Sequence, residues 1–126
     1  MGDSRKLDVF ARAHRLTLDI YSATHRYPQD EMFGLSSQTR QAAASIGSNL
    51  AEGSGRESDR ELARFTPIAL GSASELEYHL LLARDLGFLA PTDWTNLDDE
   101  VRRVPRMLAS LDASRPQPAT ARRHRP

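Results

Sequence analysis

The feature that most constrains the fold of this chain is the recurrence of apolar residues every three or four positions in four successive segments. That period matches the α-helical turn and places the apolar side chains of each segment on one face. No segment shows the convincing period of two that a half-buried strand requires. Because the loops between the segments are short, consecutive helices are expected to be antiparallel neighbours. The sequence therefore predicts an all-α, up-down-up-down four-helix bundle with helices over residues 7–25, 37–53, 58–86 and 92–112.

The first predicted helix carries two apolar stripes, although a helix in a lone bundle needs only one apolar face. The first stripe is interrupted by His14 and consists of Leu7, Phe10, Ala11, Leu18 and Tyr21. The second stripe consists of Val9, Ala13, Leu16 and Ile20. The surplus apolar surface indicates contact with another subunit. His14 itself is interpreted as a partly buried histidine with a hydrogen-bond partner.

The predicted helix ends rest on capping residues. Ser36 or Ser37 can accept a backbone N–H bond at the start of the second helix. Ser58 and Glu61 have the spacing of a capping box at the start of the third. Gly87, followed by an aromatic residue, is typical of a left-handed cap at the end of that helix.

Two prolines fall inside predicted helices. Pro67 removes one helical hydrogen bond and clashes one turn back, which predicts a kink near Arg64 within a single long helix. Pro105 is expected to bend or fray the fourth helix. The apolar side chains of that helix follow the spacing of a heptad seam, at Trp94, Leu97, Val101, Val104, Leu108 and Leu111.

The charge of the chain is unevenly distributed. Its 17 basic and 17 acidic residues balance, but residues 113–126 hold four arginines and no acid, which leaves residues 1–112 with a net charge of −4. The segment 113–126 also has three prolines and no large apolar side chain, so it is predicted to be a disordered basic tail. The mildly acidic body gives no support to a strongly basic nucleic-acid-binding domain.

The composition excludes several functional classes. With no cysteine, the chain has no disulfide, thiolate metal site or cysteine nucleophile. No apolar run is long enough to span a bilayer and the N-terminus lacks the apolar core of a signal peptide, so the expected compartment is the cytoplasm. Ser54 lies between two glycines, but it follows a predicted helix where a nucleophile elbow follows a strand. No enzyme, cofactor or catalytic residue is predicted.

One candidate metal site consists of Glu75 and His79, which are four residues apart on one helical face. Di-iron bundles use Glu-x-x-His, usually twice, and that spacing does not occur in this sequence. No metal site is therefore predicted.

A row of arginines begins the third helix. Arg56, Arg60 and Arg64 are each four residues apart and share a helical face, with Arg40 of the second helix as a possible neighbour. Guanidinium groups in such a row can hold phosphates bidentately. The alternative is a solvated face that pairs with the interleaved acids Glu57, Asp59 and Glu61.

Residues 28–87 resemble a known family. The first block of the pattern is Pro28-x-x-Glu31-x-Phe33-Gly34-Leu35-x-x-Gln38-x-Arg40-x-Ala42-Ala43-x-Ser45-Ile46. The second is Asn49-Leu50-Ala51-Glu52-Gly53-x-Gly55-Arg56. The third is Arg64-Phe65-x-x-Ile68-Ala69-x-Gly71-Ser72-x-x-Glu75-Leu76-Glu77, running on to Leu86-Gly87. In order and spacing the blocks resemble the "four helix bundle protein" family, also called ribosomal-RNA intervening-sequence proteins.

The resemblance implies an antiparallel four-helix bundle that assembles as a ring-shaped homopentamer and has no enzymatic activity. A related branch, the accessory protein of diversity-generating retroelements, binds nucleic acid and a reverse transcriptase, but it is basic where this body is acidic. The polar and small positions of the motif imply a buried interhelical hydrogen-bond network, in preference to a ligand site. Its members in this sequence are Asn49, Glu52, Gly53, Gly71, Ser72 and Glu75.

Three functions remain open at this point. The first is a homo-oligomeric scaffold that binds RNA or a nucleic-acid–protein complex through Arg40, Arg56, Arg60, Arg64 and the tail. The second is a protein–protein interaction ring without nucleic acid, which matches the acidic body. The third, an enzyme with a polar pocket at Glu75 and His79, requires a metal or cofactor for which the sequence offers no motif.

Overall fold

The computed structural model of the chain describes residues 4–54 and 59–113, and side chains within 5–53 and 63–111. It consists of α1 (Ser4–Thr24), α2 (Leu35–Ser54), α3 (Asp59–Asp85) and α4 (Pro91–Ala113), with a single 3₁₀ turn, Gln29–Glu31, between α1 and α2. These described residues include no strand, which confirms the all-α class with four helices. Each helix packs against two others, in the cyclic order α1–α2–α3–α4–α1.

The helix ends differ from the predicted ones by one to three residues, which is the usual scatter of frayed and capped termini. The start of α2 has a specific cause. The Leu35 backbone N–H donates to Glu31 Oε1 at 3.1 Å, so the capping acceptor is a carboxylate four residues upstream. Ser36 and Ser37 therefore lie inside the first turn, and the predicted serine cap is wrong. The predicted capping box of Ser58 and Glu61 lies outside the described side chains. Of the predicted tail 113–126, Ala113 is the last residue of α4, and the rest lies outside the described residues.

Both interior prolines are accommodated within continuous helices. Pro67 lies inside α3, which runs as one helix as predicted. Pro105 lies inside α4, which continues for eight further residues to Ala113, so the predicted fraying is wrong. The bends expected at the two prolines stay predictions.

The end of α3 confirms the predicted glycine cap. Gly87 has φ of +82°, the left-handed region that glycine adopts without the steric penalty of a Cβ. The Phe88 N–H donates to the Ala83 carbonyl at 2.9 Å and the Gly87 N–H donates to the Arg84 carbonyl at 3.0 Å. This is the paired hydrogen-bond pattern of the Schellman motif, and it turns the chain toward α4.

The core is formed by one apolar stripe from each helix. The stripe of α1 that contains Leu16 and Ile20 is buried, as are Ile46 of α2 and Leu76 of α3. The predicted seam of α4 is buried from Leu97 to Leu111, with Trp94 partly buried at its start. Burial of each large aliphatic side chain contributes about 1.5–3 kcal/mol. Within the described residues, no helix combines the length and apolar character needed to cross a membrane.

Candidate functional site

The predicted arginine row is only partly visible. Arg64 is exposed on α3, and its guanidinium carbon lies 5.7 Å from the centroid of the Phe65 ring. Arg60 lies in the first turn of α3, but its side chain lies outside the described ones, and Arg56 lies outside the described residues altogether. The structure therefore locates one exposed cation of the three and leaves the spacing of the others as predicted from sequence.

Arg40 lies away from this row. It is near the start of α2, and about 20 Å of helix separates it from Ser54, the last residue before the connection to α3. The Arg40 Nε–H donates to Thr24 Oγ1 at 2.7 Å, and the guanidinium carbon lies 5.0 Å from the centroid of the Tyr21 ring. The prediction that Arg40 neighbours the arginines of α3 is therefore wrong, because its side chain packs against α1.

Arg40 borders a cavity of about 350 Å³ where α1 connects to α2. Its polar lining includes Thr24, His25, Tyr27, Gln29, Ser36 and Arg40, and no acidic side chain lines it. Sequence reasoning did not find this cavity, because it is formed by residues up to sixteen positions apart that only the turn after α1 brings together.

One of the predicted network residues, Ser72, connects α3 to α2. The Ser45 and Ser72 hydroxyls lie 2.8 Å apart, and either can be the donor. Asn49 Nδ2 donates to Ser45 Oγ at 3.1 Å and to the Ser45 carbonyl at 2.8 Å. The structure therefore brings Ser72 to Ser45 across the two helices, and Asn49 bonds to the same Ser45 from within α2.

Most of the other predicted network residues are exposed. Glu52 is exposed, and the Glu75 carboxylate is 57 % exposed and lies 3.6 Å from His79 Nε2. Gly71 is also exposed, and a Cβ placed there would meet no atom within 4 Å. Gly53 is buried at the end of α2. The prediction of a buried role is wrong for Glu52 and Glu75, because their positions on α2 and α3 face away from the core.

The two histidines considered from sequence differ in burial. His14 is exposed and stacks on Phe10 with a centroid distance of 6.4 Å, so the prediction of a partly buried residue is wrong. His79 is buried, and within the described residues its Nδ1 has no hydrogen-bond partner. The described residues hold no group of three or more histidine, aspartate or glutamate side chains arranged to bind a metal ion.

A polar cluster between α3 and α4 was not predicted. Arg102 Nε donates to Glu77 Oε2 at 2.8 Å and lies 3.0 Å from Asp98 Oδ2. Asp98 is buried, and its Oδ1 has no hydrogen-bond partner in the described part of the chain. Burial raises the pKa of Asp98 above its ordinary value of 3.8, and the positive charge of Arg102 opposes this effect. The four-residue spacing of Asp98 and Arg102 was visible in the sequence, but only the packing shows that Glu77 completes the cluster.

Tyr27 is a second buried polar group that the sequence did not single out. Its ring packs against Phe88 with a centroid distance of 5.8 Å, and its hydroxyl has no hydrogen-bond partner among the described residues. Burial raises the pKa of Tyr27 to about 12. The residue closes the core at the end of the bundle where the cavity lies.

The outer face of α1 carries an exposed apolar stripe that His14 interrupts. Leu7, Leu18 and Tyr21 are 45 %, 52 % and 47 % exposed. Ala11 and His14 are also exposed and complete the spacing of four, three, four and three residues between Leu7 and Tyr21. This face is the surplus apolar surface predicted from the sequence, and the described helices leave its large side chains about half exposed.

These features define an all-α, four-helix protein with an uncovered apolar helix face and a polar link between its two central helices. Residues 5–110 match the model of the 23S rRNA-intervening sequence protein family, and the chain belongs to this family. No functionally curated protein matches the chain.

A solved structure supports the fold. It is a protein of unknown function from the S23 ribosomal protein family of Bacteroides thetaiotaomicron VPI-5482. The two structures align with a TM-score of 0.77 at 20 % sequence identity, over 85 % of this chain and 96 % of the other. At that identity the similarity concerns the fold alone.

Proposed function

We propose that this chain is a non-enzymatic subunit of a homo-oligomeric helical scaffold that binds RNA or an RNA–protein complex. The observation that carries the assembly is the outer stripe of α1, where Leu7, Leu18 and Tyr21 are each about half exposed. Its spacing is that of a helix–helix seam, and a second copy of the chain would remove this apolar surface from water.

We further propose a ring-shaped homopentamer of bundles whose helices alternate in direction. Two ion pairs made by carboxylates of α4 support the alternation. Arg12 of α1 lies 3.2 Å from Glu100, whereas Arg26, just after α1, lies 3.7 Å from Asp93. The partner position on α4 moves backward as the position along α1 moves forward, as expected for antiparallel neighbours. The ring comes from the resemblance to the bundle family, and the outer stripe of α1 is the surface that such a ring would bury.

RNA binding is proposed from the family and from the arginines of α3. The family description names the intervening sequence of 23S rRNA. Arg64 is exposed near the start of α3, and Arg60 precedes it by one helical turn. In a closed ring this row would be repeated once per subunit, and repeated phosphate contacts give strong affinity that depends on salt.

The assembly is tested by placing a charge on the α1 stripe. Leu18→Glu is expected to reduce the mass of the particle, because the carboxylate would be buried without a partner at the contact. The matched control is Leu86→Glu, since Leu86 is 53 % exposed and Leu18 is 52 % exposed, but Leu86 follows α3. The measurement is light scattering after size-exclusion chromatography. An unchanged mass for Leu18→Glu would remove α1 as the interface.

RNA binding is tested by filter binding of structured RNA at low and high salt. Replacement of Arg56, Arg60 and Arg64 with glutamate is expected to abolish RNA binding, so that retention on the filter falls to background. The control replaces three exposed arginines elsewhere, Arg15, Arg103 and Arg106, and so changes the net charge equally. Equal loss in both variants would point to bulk charge, and unchanged affinity in the first would contradict the proposal.

A protein-interaction ring without nucleic acid is the second candidate. It is favoured by the pairing of cations on the body, where Arg12, Arg26 and Arg102 all contact carboxylates. Those arginines are partly neutralised and less available to phosphates. This candidate predicts no RNA retention at either salt concentration, together with an intact oligomer.

A further inference from the structure

Arg40 is a half-buried cation to which the described part of the chain offers no counter-charge. No carboxylate of the described residues pairs with its guanidinium, which contacts Thr24 and Tyr21 instead. Arg102, by contrast, lies within 3.0 Å of two carboxylates. Partial removal of a charge from water is unfavourable unless an opposite charge compensates it. The position therefore favours an anion that the described chain does not supply.

The guanidinium group is already held in place for such an anion. Its Nε–H is used by Thr24 Oγ1, which donates in turn to the Ile20 carbonyl at 2.8 Å. The face of Tyr21 lies 5.0 Å from the guanidinium carbon and restrains the group from one side. The N–H groups of the two Nη atoms have no partner among the described residues. A planar fork that is fixed before binding loses little conformational entropy when it captures an oxyanion.

The adjoining cavity has the charge and size for a small anionic group. It encloses about 350 Å³ and is lined by Arg40 together with Thr24, His25 and Ser36, and by no acidic side chain. Ser36 lies in the first turn of α2 and contributes a hydroxyl to the lining. The volume is near the lower end of the range of about 300–1,000 Å³ for small-molecule sites.

We propose that this cavity is a binding site for a phosphate group, held by the Nη atoms of Arg40 between Ser36 and His25. A phosphate offers several acceptor oxygens, to which the Arg40 guanidinium and the Ser36 hydroxyl can both donate. The phosphate can belong to a free phosphate ester such as a nucleotide or to an RNA strand. The site goes beyond the RNA-binding proposal, because Arg40 lies at the other end of α2 from the arginines of α3.

The first experiment is a titration of the full-length, isotope-labelled protein with inorganic phosphate, followed by nuclear magnetic resonance. The amide signals of His25, Ser36 and Arg40 are expected to shift and saturate together, while those of Glu77 and Arg102 stay in place. Arg40→Gln is expected to weaken the affinity by about ten- to a hundred-fold, the usual effect of losing a charged hydrogen-bond donor. Arg40→Lys keeps the charge but loses the fork, and is also expected to bind more weakly than the wild type.

Arg106→Gln is the matched control, because it removes an exposed arginine from α4. It should leave the phosphate affinity unchanged. Since the wild-type shifts already locate the site, the proposal remains testable if Arg40→Gln fails to fold. Adenosine monophosphate and an RNA oligonucleotide with and without a 5′-phosphate then distinguish the source. Tighter binding of the mononucleotide indicates a free ester, and tighter binding of the phosphorylated RNA indicates a strand end.

Two results would overturn the site. One is the absence of saturable shifts at His25, Ser36 and Arg40 in the wild type. The other is an Arg40→Gln variant that binds phosphate as the wild type does. If that variant also has a different particle mass, the counter-charge of Arg40 lies on another subunit. Loss of RNA retention on replacing Arg64, with phosphate binding intact, would separate the two proposals.

Discussion

The hydroxyls of Ser45 and Ser72 lie 2.8 Å apart and join α2 to α3 by a partly buried hydrogen bond. Asn49 Nδ2 donates to the same Ser45 hydroxyl at 3.1 Å, so the link has three members. A polar chain of this kind fixes the register of two helices that both bury small side chains, such as Ala42, Ala43 and Ala73.

Ser72→Ala is expected to lower the free energy of unfolding by about 1 kcal/mol, because the Ser45 hydroxyl loses one of its two partners. The measurement is urea denaturation followed by circular dichroism. A double-mutant cycle with Ser45→Ala isolates the pair. The double variant should lose about 0.5–1 kcal/mol less stability than the sum of the losses of the two single variants. Strict additivity would show that the two hydroxyls do not interact.

The periodicity of the sequence was sufficient to predict the helices, because each core stripe follows the helical repeat in its own segment. Leu16 and Val104 illustrate this, since both are buried where the spacing places them. The exposed stripe containing Leu18 could also be predicted, because a second apolar face is visible in the spacing alone.

The site residues were harder to predict, because their surroundings come from other helices. Arg40 was placed with the arginines of α3, whereas its side chain turns to Thr24 of α1. Glu75 was assigned to a buried network because it belongs to the motif, but its carboxylate is mostly exposed. The motif marks positions, and the rotation of each helix decides which of them face the core.

Tyr27→Phe is expected to raise the free energy of unfolding at neutral pH by about 1 kcal/mol, since it removes a buried hydroxyl that has no hydrogen-bond partner among the described residues. Burial raises the pKa of Tyr27 to about 12 from 10.0. Between these two pH values the Tyr27 phenol ionises in the unfolded chain and stays protonated in the folded chain. The wild type therefore loses stability as the pH rises from 10.0 to about 12. The loss amounts to about 2–3 kcal/mol by the upper end of the window.

The check is denaturation of wild type and Tyr27→Phe at neutral pH and at about pH 11, which lies inside the window of the raised pKa. The variant should lose less stability than the wild type. Tyr78→Phe serves as the control, because Tyr78 is 59 % exposed. Parallel losses in wild type and Tyr27→Phe would contradict a buried, protonated phenol.

Asp98→Asn tests the cluster between α3 and α4. Burial raises the pKa of Asp98, so its charged form disfavours the folded state at neutral pH. As the pH falls from neutral through the raised pKa toward 3.8, the folded chain binds a proton before the unfolded chain does and gains stability. The variant lacks this gain, and Arg102 keeps its hydrogen bond to Glu77.

We therefore expect Asp98→Asn to be at least as stable as the wild type at neutral pH, with the difference narrowing in acid. The measurement is the melting temperature of both proteins from neutral pH down to about pH 4, the ordinary range of an aspartate. Asp99→Asn, at an exposed neighbouring position, provides the control. A variant that is less stable than the wild type at neutral pH, with a deficit that shrinks in acid, would show that charged Asp98 stabilises the fold as a partner of Arg102.

Two glycines of α3 and its cap should respond oppositely to alanine. Gly71 lies in an exposed helix interior with no atom within 4 Å of an added Cβ, so Gly71→Ala should stabilise the chain by about 0.5–1 kcal/mol. Gly87 has φ of +82°, and Gly87→Ala should destabilise it by about 1 kcal/mol or more. Chemical denaturation of both variants tests the pair. A destabilising Gly71→Ala would indicate that another subunit approaches α3 closely at this point.

The central claim is that α1 has one face for its own bundle and a second face for another copy of the chain. The mass of the wild-type particle in solution, measured by sedimentation equilibrium, tests this directly. For a chain of 14.1 kDa, a closed ring of five subunits predicts about 70 kDa, independent of loading concentration once assembled. A single species at the mass of one chain, up to the highest concentration measured, would contradict it.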